Sequence, residues 1–185
     1  MNFEKYGKYL ELGSKDEDEA MRLIEEKIGG KCVKTTKELD INCHTDFIWV
    51  SPNNTICSID KKMIKKVSRS SKNASNEMTW IELVGNSGLP GSATPQTENL
   101  ARYGFEINPS NDYLMIETYN DFLFIQRKKL SKFVKDKVEG KELVFKNPQK
   151  PYVPYQRKSY GHKDVNVLVP NKDLYELAQF IIKKN

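Results

Sequence analysis

No apolar run in the 185 residues approaches the about 18 needed to cross a bilayer. The amino terminus, Met1-Asn2-Phe3-Glu4-Lys5, has no apolar stretch of the kind that forms a signal peptide. A membrane partner is therefore not expected, and a cytoplasmic location is. Cysteine is scarce: Cys32, Cys43 and Cys57 form no CxxC pair, and their odd number argues against both a disulfide framework and a structural zinc site. Histidine is scarcer still, with 2 residues, and His44 reads as a satisfied polar group rather than a ligand. No internal repeat is present.

What remains is enough for one domain, 1–185, since 38% of the residues are hydrophobic and 30% charged. The formal net charge of +5 is modest, but the cations are unevenly placed. Lys61, Lys62, Lys65, Lys66, Arg69 and Lys72 follow one another with no acid among them, a run that would draw in a polyanion. A second basic segment, 141–164, sets Lys141, Lys146, Lys150, Arg157, Lys158 and Lys163 against only Glu142 and Asp164. Tyr152, Tyr155 and Tyr160 are interleaved there. Cations with aromatics suit contact with a nucleic-acid backbone and exposed bases, and the competing account has the tyrosines packing on the core.

The most informative stretch is Thr45 to Lys62. Thr45-Asp46-Phe47-Ile48-Trp49-Val50 and Thr55-Ile56-Cys57-Ser58-Ile59-Asp60-Lys61-Lys62 are rich in β-branched and aromatic residues, with turn chemistry at Ser51-Pro52-Asn53-Asn54 between them. The spacing predicts a β-hairpin. Side chains alternate faces along a strand, so Asp60 and Lys62 share one face and Ile59 and Lys61 the other. A Pro52-Asn53-Asn54 connection sets Asp46 opposite Asp60; a connection longer by one residue sets it opposite Ile59, on the wrong face. Two carboxylates beside a lysine are what a Mg²⁺-dependent phosphodiester hydrolase needs, because the acids hold the cation and the ammonium faces the water or the phosphate. A solvated, charged hairpin edge is the alternative.

Elsewhere, Ser14 reads as an N-cap before an acidic first turn, and Ala20, Met21, Ile24 and Ile28 make the apolar stripe of a helix ended by Gly29-Gly30. Glu17 lies on the edge of that stripe, where it either faces a metal site or complements the helix dipole. Met78 to Val84 reads as a strand with Trp80, Glu82 and Val84 on one face, and Glu82 becomes a third carboxylate if this strand pairs beside the hairpin. Residues 85–104 are a glycine- and proline-rich loop. Asp112 to Tyr119 and Phe122 to Gln126 predict two further strands around Asn120-Asp121. One helix is expected from about Ser131 with Leu130, Phe133, Val134 and Val138 inward, and a last helix from Asp173 with Leu174, Leu177, Ala178 and Ile181 on the core.

Asp46 followed by Asp60-Lys61-Lys62 resembles the signature of the PD-(D/E)XK nuclease superfamily, small phage and bacterial members included, in which an acid on one strand precedes an acid-x-lysine on the next. The order of helix, hairpin, acid-bearing strand and later strands is similar to that fold over Ser14 to Val138. Thr45 stands where a proline often precedes the first acid. The resemblance implies an α/β fold with a restriction-endonuclease-like central mixed sheet flanked by helices. It further implies that Asp46 and Asp60 bind Mg²⁺ or Mn²⁺, that Glu82 is a supplementary ligand, and that Lys62 orients the water or stabilises charge on the phosphate. The expected activity is that of a metal-dependent endonuclease (a hydrolase) on DNA, with Lys61, Lys65, Lys66, Arg69, Lys72, Arg157 and Lys158 as nucleic-acid contacts. A non-catalytic nucleic-acid-binding or inhibitor protein on the same fold is the alternative. Nothing reads or rejects a 2′-hydroxyl, so RNA stays open as a substrate. Double-strand cutting would call for a homodimer, although no exposed apolar stripe demands one.

Overall fold

Alternation of apolar side chains with a period of two, broken by turn residues, is what builds most of this molecule. The computed structural model describes residues 16–36, 45–64, 77–84, 112–156 and 165–184. A first helix, α1 (16–27), leads into strand β1 (Lys31–Lys34) and then the hairpin β2 (Phe47–Val50) and β3 (Ile56–Lys62). Strand β4 (Met78–Val84) follows, then β5 (Asp112–Glu117), β6 (Asp121–Gln126) and helix α2 (Arg127–Val138). The chain continues with β7 (Tyr155–Gln156), β8 (Val165–Pro170), helix α3 (Asn171–Leu177) and β9 (Phe180–Lys183).

Six strands form one sheet in the order β1-β2-β3-β5-β6-β9, and β4-β8-β7 form a second. The large sheet is mixed: β3 and β5 run parallel, and its other pairs are antiparallel. The α/β class with a mixed sheet is as expected from sequence. Among the described residues no helix is long and apolar enough to cross a membrane.

The two faces of the large sheet carry two cores. On one face Phe47, Trp49, Cys57, Ile59, Tyr113, Met115, Phe122 and Phe124 pack against Ala20, Leu23 and Ile24 of α1. On the other, Leu114, Ile116, Leu123 and Ile125 pack against Ile81, Val167 and Val169 of the small sheet and Leu130, Val134 and Leu174 of the helices. Strands β5 and β6 are thus covered on both sides, which is why their sequences read as near-continuous apolar runs. Each such side chain contributes about 1.5–3 kcal/mol on full burial.

The hairpin takes the shorter of the two connections. Phe47 pairs with Ile59 and Val50 with Ile56, and the Ser51 N–H donates to the Thr55 carbonyl at 2.9 Å. Asn54 has φ of 61°, a left-handed conformation that asparagine tolerates at the end of such loops. Gly30 sets how closely α1 approaches: at φ of 86°, a Cβ there would lie 2.2 Å from the Val50 carbonyl oxygen. The Trp49 indole N–H donates to the neighbouring Gly29 carbonyl at 3.0 Å, so helix end and hairpin are fixed together.

Three expectations are corrected. Helix α2 begins at Arg127, not near Ser131, and follows β6 without a loop. The last apolar residues leave the helix for strand β9, in which Phe180 and Ile182 face inward and Ile181 is exposed; Phe180 stacks on Phe124 at 4.3 Å. Strand β4 pairs with β8 in the small sheet, while β5 takes the place beside β3.

Candidate active site

Asp60 and Lys62 lie on β3 with their side chains on one face of the large sheet, opposite Ile59 and Lys61. Parallel pairing sets Asp60 beside Leu114 and Lys62 beside Ile116, residues of the second core. This face is deeply buried at Asp60, whose relative exposure is 1%, and opens at Lys62, which is half-buried. Lys62 Nζ forms an ion pair with Asp60 Oδ1, and the contact lacks hydrogen-bond alignment.

Continuing the β2–β3 register by one residue would bring Asp46 opposite Asp60, but the chain bends there. The Asp46 N–H donates to the Ile59 carbonyl at 2.9 Å, and Asp46 Oδ2 accepts the Lys61 N–H at 2.6 Å. The Asp46 carboxylate is therefore clamped to the backbone between Asp60 and Lys62. Burial, and then the negative charge of Asp60, push its pKa up to about 7; the Lys62 charge and the Lys61 N–H pull the other way, and Glu17 adds a smaller upward push. Asp46, Asp60 and Lys62 are one electrostatic unit.

Glu17 stands at the edge of this unit. It acts on Asp46 through charge, and its carboxylate lies 3.7 Å from Lys34 Nζ. Glu82 does not join it. The condition for its membership was a place for β4 next to the hairpin, and β4 lies in the other sheet. Ile81 there points into the second core, so Glu82 faces the opposite way with Trp80, which contacts Tyr155 at 5.8 Å. Lys61 is also corrected as a nucleic-acid contact: its side chain is 2% exposed, pairs with Glu117 at 3.3 Å and lies over the Phe122 ring. Lys65, Lys66, Arg69, Lys72, Arg157 and Lys158 lie outside the described residues, as does the 85–104 loop. Tyr152 serves packing: it lies against the second core, and its hydroxyl donates to Asp173.

Sequence reasoning missed three residues. Arg127, the first residue of α2, is fully buried; its Nη1 lies 3.4 Å from Asp60 Oδ2, and its Nε donates to Asp112 Oδ2 at 2.9 Å. Burial lowers the Arg127 pKa, but Asp112 and Asp60 more than reverse this, so it stays charged. Ser58 Oγ donates to Asp112 Oδ1 at 2.9 Å. A buried Asp at a strand start was visible in the sequence, but nothing local tied it to an arginine 15 residues later.

Two carboxylates that act on one another through charge, one of them with a buried oxygen that meets Lys62 Nζ as an ion pair but takes no aligned hydrogen bond among the described residues, form a hard-oxygen donor set. That set fits Mg²⁺ or Mn²⁺. Mg²⁺ commonly uses one or two protein carboxylates and completes its shell with water and phosphate oxygens. Among the described residues, no three His, Cys, Asp or Glu side chains gather closely enough to enclose a metal on their own. No protein-family model, curated protein or solved structure matches the chain.

Proposed function

We propose that the chain is a Mg²⁺- or Mn²⁺-dependent endonuclease of the PD-(D/E)XK type on a restriction-endonuclease-like fold, hydrolysing DNA phosphodiester bonds at Asp46, Asp60 and Lys62. The observation that carries the reading is the Asp46 carboxylate fixed beside Asp60, with the Lys62 ammonium on the same oxygen that a cation would use. A divalent cation held by the two aspartates would supply an acidified water and offset the charge of the phosphate. Asp46 is oriented by the Lys61 N–H so that one oxygen is already anchored. Lys62 is half-buried at the opening of the site, and once off Asp60 it is placed to orient the water or the scissile phosphate. The net charge of +5 brings a polyanion near.

A second reading is favoured by one observation: Asp60 is met by a cation at each oxygen, so its charge is balanced with no metal. On that reading the protein binds nucleic acid without cleaving it. Nicking of supercoiled plasmid, with single-stranded DNA and RNA in parallel, separates the two. The nuclease reading expects cleavage with Mg²⁺ that EDTA and Asp60→Ala both abolish. Binding of nucleic acid with no metal-dependent cleavage of any of the three would overturn it.

A further inference from the structure

A buried guanidinium is costly to desolvate, and only well-placed partners make it tolerable. Two of the partners of Arg127 are carboxylates placed with unequal quality. Its Nε makes an aligned bond of 2.9 Å to Asp112, while Nη1 reaches Asp60 at 3.4 Å. Asp112 has both oxygens engaged, Oδ1 by Ser58 and Oδ2 by Arg127. Ser58, Asp112, Arg127 and Asp60 are all nine-tenths or more buried and link β3, β5 and the start of α2. Asp60 is the one member that also meets Lys62 and acts on Asp46.

We propose that Asp112 and Arg127 are positioning residues for Asp60. Arg127 fixes Oδ2, and Asp112 draws the guanidinium toward itself, so that Oδ1 keeps enough negative charge to accept a divalent cation when Lys62 leaves. This rests on the reading of Asp46 and Asp60 as a metal site. The alternative is a staple that joins two strands and a helix and has no bearing on cation binding.

Asp112→Asn separates the two roles. It keeps the shape of the side chain, and it removes the Asp112 charge that offsets the guanidinium beside Asp60. Mn²⁺ titrated calorimetrically into the metal-free full-length chain, without nucleic acid, is the readout, with circular dichroism and thermal melts confirming that the variant is folded. Asp112→Ser, which removes the same charge with less volume, is the second variant should Asn prevent folding. Positioning expects Mn²⁺ affinity about 10–100-fold weaker, the range usual for partners that orient a metal's ligands. A lower melting temperature with unchanged or tighter Mn²⁺ binding leaves only the staple and overturns the inference. If the wild-type chain takes up no Mn²⁺, the metal site itself is overturned and the inference with it, a result distinct from wild-type binding that the variants do not alter.

Discussion

Replacing Asp46 by Asn should stabilise the folded chain above neutral pH and leave it unchanged in acid. Asp46 is held with its pKa raised from 3.8 to about 7, by burial first and the Asp60 charge second. The difference is about three units, each worth about 1.4 kcal/mol, so ionising Asp46 in the fold costs at most about 4 kcal/mol. Asp46 keeps some exposure, and solvent screening brings the expectation to about 2–3 kcal/mol. The sign follows from proton binding. Between about pH 4 and 7 the folded chain holds a proton that the unfolded chain has lost, so stability is fully present below about pH 4 and falls as pH rises through about 7. Asn carries no such proton and can still accept the Lys61 N–H. Urea unfolding in EDTA at about pH 4, 6 and 8 should show a variant-minus-wild-type difference growing from near zero to about 2–3 kcal/mol. A difference that is absent at about pH 8, or equal at all three pH values, would refute the raised pKa of Asp46 and with it the burial and charge that cause it.

Further expectations follow from other contacts. Because Asp46 must lose its proton to ligate, Mn²⁺ affinity measured by calorimetry should strengthen as pH rises from about 5.5 through about 7 and level off by about pH 8. Lys61→Met breaks the buried pair with Glu117 while Lys184 still holds that carboxylate at 2.8 Å. It should cost about 1.5–3 kcal/mol in urea unfolding and leave the affinity for DNA unchanged, since the side chain does not reach solvent. Phe124→Ala removes the ring on which Phe180 stacks and should cost about 3–5 kcal/mol, with β9 the first segment to lose amide protection in hydrogen exchange.

The hairpin was legible because its signals agree at every level. Pro52-Asn53-Asn54 supplies a turn that fixes register, and the period of two then puts Asp60 and Lys62 on one face whatever the rest of the chain does. Asp46 depended on that loop, and the shorter connection was realised. The bend that clamps its carboxylate to the Lys61 N–H was not legible, since it departs from the ladder by one bond. Glu82 failed because alternation tells which residues of a strand share a face but not which sheet the strand joins. The pairing of β4 with β8 is set by contacts across more than 80 residues of sequence. Strand β9 was read as the tail of a helix because Ile181 falls at helical spacing from Leu174 and Leu177, whereas Phe180 and Ile182 fill a slot beside Phe124 and Trp49 that only tertiary packing creates. Arg127 stands next to Lys128 and Lys129 in the sequence, and nothing local sets it apart from them. Its role comes from parallel pairing of β3 with β5, which brings Ser58 and Asp112 together beneath the first turn of α2.

The reading depends most on Asp46 and Asp60 receiving one divalent cation between them. Diffraction from crystals soaked in Mn²⁺, recorded for its anomalous signal, measures this directly. The predicted result is a single strong peak at coordination distance from both carboxylates, with Lys62 Nζ moved off Asp60 Oδ1. No peak there, with Lys62 still seated on Asp60, would contradict it.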